Sequence, residues 1–145
     1  MTTLTKLSQG ERIVLVGGLL LILDLLFVQW HSVDVSRLDL DFEPARNGVT
    51  GVQDPNGAYG VVAVILTAVM VAQIVIARLT PARLPGSPAL WAQVHLIGGV
   101  FVAVVLVIKL LRATDLLGYG SYSGVLAGLL VAYGGYCIAR DGGPA

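Results

Sequence analysis

The stretch WAQVHLIGGVFVAVVLVIKLL, from Trp91 to Leu111, decides the fold. Its 21 residues carry a single Lys or Arg, Lys109, and no acid. A helix rises about 1.5 Å per residue, so this one is about 30 Å long, the thickness of a bilayer's hydrocarbon core. Three more stretches repeat the pattern: Ile13–Trp30, Tyr59–Ala77 and Tyr119–Ala139. Together the four take more than half of the 145 residues. Charged residues make up only 12% of the chain, about half the share of an ordinary soluble domain, against 56% hydrophobic ones. A soluble surface cannot be covered with so little charge. The expected fold is an all-α membrane protein, a four-transmembrane-helix bundle in one integral membrane domain spanning residues 1–145.

The first stretch resembles a signal peptide in having Lys6 and Arg12 ahead of an apolar run. Its length, its Asp24 and the Gln29-Trp30-His31 that follows, in place of a small-residue cleavage site, make it an uncleaved span. Ser8-Gln9-Gly10-Glu11 has the form of a capping box and places the helix start just after Ser8.

Residues 31–58 are the one sizeable loop. Val33, Val35, Leu38, Leu40 and Phe42 nearly alternate with polar residues, as in a half-buried strand. Asn47-Gly48 is a hairpin-type turn, Val49–Gln53 a return strand, and Asp54-Pro55-Asn56-Gly57 a second turn before the next helix. A short β-hairpin between helices 1 and 2 is the expectation. Pro81, Pro85 and Pro88 break the chain between helices 2 and 3, and residues 112–118 form a tight turn between helices 3 and 4. Both connections are short enough to make their helices antiparallel neighbours.

Orientation follows from Lys and Arg. With the N-terminus inside, Lys6, Arg12, Arg78, Arg83 and Arg140 face the cytoplasm, and Arg37, Arg46, Lys109 and Arg112 lie outside. This gives a multi-pass protein of the cell (plasma) membrane with both termini cytoplasmic and the acidic loop outside. Trp30, Tyr59, Tyr119 and Tyr122 then mark the outer interface, and Trp91, Tyr133 and Tyr136 the inner one.

A few polar residues break the apolar pattern. Asp24 lies six residues before Trp30, roughly 9 Å below the outer interface. An aspartate at a helix centre costs about 2.5–3.5 kcal/mol to insert, so it faces protein or water. Lys109 lies at a similar depth and is its expected ion-pair partner. His31, seven residues on, shares a helical face with Asp24 if helix 1 continues that far, and the two would form a proton line to the outer surface. Gln73, Gln93 and His95 lie near the inner ends of helices 2 and 3, within reach of an interhelical hydrogen bond.

Helix 4 carries the packing motif. Gly120, Gly124 and Gly128 form a GxxxGxxxG run continued by Ala132 and Gly135, a ridge that lets another backbone approach. Gly134 is off that ridge. The lone Cys137 makes no internal disulfide and reads as a small apolar residue.

The order helix, β-rich loop, helix, helix, helix resembles the claudin arrangement in topology, but the claudin loop's cysteine pair and W-GLW signature are absent. Gly51-Val52-Gln53-Asp54-Pro55-Asn56-Gly57-Ala58-Tyr59-Gly60 and Leu117-Gly118-Tyr119-Gly120 resemble stretches of small, uncharacterised four-helix membrane proteins of actinobacteria. That resemblance implies a fold and no activity.

No HExxH, CxxC, GxSxG or P-loop is present, so no catalytic residues are assigned. His31 and His95 are about a bilayer apart and cannot share a metal or haem. No cofactor and no metal are expected. The formal net charge of zero argues against nucleic acid as a partner. The partners that remain are the lipid bilayer and a second copy or another membrane subunit. Two functions fit: a non-enzymatic accessory or scaffolding subunit, or an oligomeric conduit for protons or small solutes through Asp24. Water at Asp24 separates them.

Overall fold

The computed structural model describes residues 7–32, 48–53, 56–82, 84–114 and 117–141. Along the chain run α1 (Gln9–Phe27), β1 (Gln29–Ser32), β2 (Gly48–Thr50), α2 (Gly57–Leu79), α3 (Pro88–Arg112) and α4 (Tyr119–Arg140). Among the described residues, α2, α3 and α4 are long and apolar enough to cross a membrane. The first helix carries Glu11, Arg12 and Asp24 within its 19 residues and does not meet that test by composition.

The local sequence explains most of the ends. The capping box forms: Ser8 Oγ accepts from the Glu11 amide at 3.2 Å, and the Glu11 carboxylate accepts from the Ser8 amide at 2.7 Å. Hence α1 starts at Gln9, ahead of the apolar stretch that begins at Ile13. It also ends early. Val28 is extended, and the chain beyond it pairs as β1 with β2, antiparallel, with His31 opposite Val49 and Ser32 opposite Gly48. The span expected to reach Trp30 therefore stops at Phe27, because a strand partner far along the chain claims the residues beyond. Ser87 caps α3 by accepting from the Leu90 amide at 3.2 Å, and Pro88 takes the first turn.

The hairpin exists, but its strands differ from those expected. Gln29–Ser32 supplies the first strand, and β2 stops at Thr50, where Gly51 and Val52 turn and the Gln53 amide donates to Thr50 O at 3.1 Å. The expected strand over Val33–Phe42, Asn47 of the first turn, and Asp54-Pro55 of the second lie outside the described residues. Gly48 itself sits in β2.

The helices pack in a ring. α4 packs against α1 and α3, and α2 closes the other side against the same two. Every neighbouring pair is antiparallel: Glu11 meets Arg78, Gly18 meets Val71 and Thr67, His95 meets Gln73, and Gly98 meets Met70. The core holds Val14, Leu21, Leu25, Met70, Ile74, Val102, Leu106, Val131 and Ile138. The outside is equally apolar, with Val16, Leu19, Phe27, Ile65, Ile97, Phe101 and Leu126 exposed, as suits a lipid solvent.

The α4 glycines work within the chain. Gly120 and Gly124 face the α1–β1 side, where a Cβ on Gly124 would lie 2.6 Å from Asp24 Oδ2. Gly128 and Gly135 face α3, against Leu106 and the His95 carbonyl. Gly134, read as off the ridge, is just as confined: a Cβ there would lie 2.9 Å from Val14 N and 3.0 Å from Gly10 O. Two small-residue faces exist, one toward α3 and one toward α1, so a single ridge is too simple a description.

Candidate functional site

Two polar clusters interrupt the apolar core, one at each end of the bundle. At the hairpin end, Asp24 occupies the last turn of α1. The extended backbone at Val28 folds Trp30 back over that turn, and the indole is fully buried. Trp30 Nε1 donates to Asp24 Oδ2 at 2.8 Å. The second carboxylate oxygen accepts from the Ser123 hydroxyl of α4. Gly120 and Gly124 leave the room the indole occupies. Hydrogen bonds to a charged group contribute about 1.5–3 kcal/mol each, so the two donors offset much of the cost of burying the acid.

Lys109 approaches from α3 on the indole's face. Its Nζ lies 5.5 Å from the Trp30 ring centroid and donates to the Asn56 carbonyl at 3.2 Å. Asn56 caps α2 in the left-handed region, at φ 61°. A desolvated cation over an indole is worth about 2 kcal/mol. Asp24 and Lys109 are therefore joined through Trp30, the acid at its N–H and the ammonium at its π face. Among the described residues the ion pairs are Glu11–Arg78 and Arg140–Asp141. The expected direct ion pair is replaced by this shared ring, which nothing in the sequence marks as a link between the two.

His31 is buried in β1, and its Nε2 lies 3.3 Å from the Ala113 carbonyl beyond α3. Because α1 ends at Phe27, His31 does not continue Asp24's helical face, and the expected Asp24–His31 line has no helix to run along. The Trp30 carbonyl accepts from the Gly118 amide at 2.7 Å, tying the hairpin to the start of α4. Burial holds the His31 pKa below its ordinary value of 6.5, opposed by the Ala113 carbonyl and reinforced by the charge of Lys109.

At the opposite end, Glu11 is fully buried. Besides capping α1 it accepts from Arg78 Nε of α2 at 2.9 Å. Close by, His95 Nε2 and Gln73 Oε1 are 2.7 Å apart, the hydrogen bond expected between helices 2 and 3, whereas Gln93 is exposed. The capping box accounts for only one of the two tasks of Glu11. Its spacing held a further signal: Glu11, Val14, Gly18, Leu21 and Leu25 lie three or four residues apart, on the buried stripe of α1. Nothing in the sequence marks Ser123 beyond its place beside a ridge glycine.

Among the described residues no group of three or more His, Cys, Asp or Glu could hold a metal ion. His31 and His95 sit at opposite ends of α3. Trp30, expected at the outer interface, is interior, while Tyr119, Tyr122, Tyr133 and Tyr136 are exposed at the two ends of α4. No protein-family model, curated protein or solved structure matches this chain.

Proposed function

We propose that this chain is a non-enzymatic accessory or scaffolding subunit of the cell membrane, crossing the bilayer four times with both termini in the cytoplasm. The observation that carries the reading is the state of Asp24. A conduit needs that carboxylate wet. It is instead 6% exposed, with one oxygen on Trp30 and the other on Ser123.

The fourth span is supported by where α1 puts its charges. Glu11 and Asp24 both turn inward onto partners from elsewhere in the bundle, and Arg12 lies in the first turn, at headgroup depth. What α1 leaves exposed beyond that turn is Val16, Leu19, Leu20, Leu23, Leu26 and Phe27. Its antiparallel packing along the apolar α4 supports the same depth. The balance of Lys and Arg supports the orientation. The exposed apolar faces of α1 to α4 are the surfaces through which a second copy or another membrane subunit would be held.

Proton flux tests the reading. Purified protein in liposomes with a trapped pH dye, driven by a valinomycin-clamped potassium gradient, should leak protons no faster than empty liposomes. A flux abolished by Asp24→Asn would overturn the scaffold in favour of the conduit.

A further inference from the structure

We infer that the groove between α1 and α4 binds a lipophilic primary amine, anchored by the Asp24 carboxylate. The inference rests on reading α1 as a span, which turns this groove toward lipid. The groove measures about 390 Å³, within the range of about 300–1,000 Å³ of small-molecule sites. Leu20, Leu23, Val28, Leu126 and Leu130 form its walls, and Asp24 and Ser123 its polar part. From Leu20 to Val28 the backbone rises about 12 Å, room for an alkyl or aryl body lying along the helix.

The polar part selects the head of the occupant. An ionised carboxylate offers about four acceptor directions, and Trp30 and Ser123 take one on each oxygen, which leaves capacity on both. Among the described residues no Lys or Arg lines the groove. The Lys109 ammonium stands over the Trp30 ring and turns to Asn56. An ammonium entering from the groove meets a carboxylate in a low dielectric, where a charge-assisted hydrogen bond is strongest. A hydroxyl gains only a neutral donor's share. The walls require an apolar body behind that head. Asp24 lies a full turn below Val28, deeper than a phospholipid headgroup sits, so the occupant is a free amphiphilic amine rather than an aminophospholipid.

The probe is dodecylamine carrying a mid-chain diazirine, with the matching dodecanol as control, photolysed with the protein in phosphatidylcholine nanodiscs and mapped by mass spectrometry. The amine should label the Leu23 and Leu126 regions saturably, at least about tenfold above the alcohol, the difference between charged and neutral hydrogen bonding. Asp24→Asn should remove that excess. So should Leu126→Trp, which fills the groove from an exposed position and keeps the test open if Asp24→Asn fails to fold. Equal labelling by amine and alcohol would overturn the inference, as would loss of the amine signal when phosphatidylethanolamine replaces phosphatidylcholine. The alcohol alone checks the underlying reading: labelling of Leu19 and Leu23 places α1 in lipid whatever the amine does, and their protection would refute the span itself.

Discussion

The two ends of the bundle each bury an acid from α1, and they hold it by different means. Glu11 meets a guanidinium directly, with the Ser8 amide on its other oxygen. Asp24 meets an indole N–H and a hydroxyl, and the Lys109 ammonium over the face of that indole donates to the Asn56 carbonyl. The first arrangement is a charge pair that locks α1 to α2. The second spreads a charge over neutral donors from β1 and α4 and leaves one side of the carboxylate toward an apolar groove. In a low dielectric the direct pair is the more brittle, because removing one partner strands a whole charge. Neutral donors can be lost one at a time.

That contrast can be broken by substitution. Arg78→Met should cost about 3 kcal/mol, the low end for a stranded buried charge, since Arg78 keeps 21% of its side chain exposed. Glu11→Gln together with Arg78→Met should recover part of the loss. Trp30→Phe keeps the ring beneath Lys109 and removes one neutral donor from Asp24, a cost of about 1–3 kcal/mol. Thermal unfolding in detergent ranks the three. A larger loss for Trp30→Phe than for Arg78→Met would reverse the assignment of the two ends.

The packing around the clusters gives a smaller test. Gly134→Leu sits beside the Glu11 end, against Gly10 and Val14, and Gly124→Leu beside the Asp24 end. Each overpacks a tight helix contact and should cost about 1–3 kcal/mol or more. Size-exclusion chromatography should show no change of oligomer for either. A shift from oligomer to monomer at unchanged stability for Gly124→Leu would move that glycine face to a contact between chains.

The smallest effect concerns pH at the hairpin end. His31 has its folded pKa lowered from 6.5 by burial, so below that pH the unfolded chain takes up the proton more readily than the fold. Stability should fall as pH drops through about 6.5, and His31→Gln should reduce that slope. An unchanged slope would mean that His31 takes up its proton equally in the folded and the unfolded chain.

Much of this was legible in the sequence, and the failures share one cause. The apolar runs over α2, α3 and α4, the Ser8 capping box and the proline-broken connector are local signals, and all match the structure. The end of α1 was misplaced because its apolar composition runs on to Trp30, while the strand that claims Gln29–Ser32 pairs with residues about twenty positions later. Trp30 read as an interfacial anchor for the same reason: a tryptophan after an apolar run usually is one, and the glycines that make room for it, Gly51, Gly120 and Gly124, lie far along the chain. Asp24 stood out as a lone acid. Its partners did not, since Ser123 and an indole N–H carry no charge to match. Glu11 was hidden behind a correct reading of its other task.

Whether α1 crosses the membrane with its two acids turned inward is decided by cysteine accessibility. Single cysteines at Thr3, Ser36 and Ser87, in a Cys137→Ser background, would be probed with an impermeant thiol reagent in intact and permeabilised cells. With α1 as a span, position 36 should label in intact cells, and positions 3 and 87 only after permeabilisation. Labelling of positions 3 and 36 from the same side would contradict it, because the chain between them would then not cross the membrane.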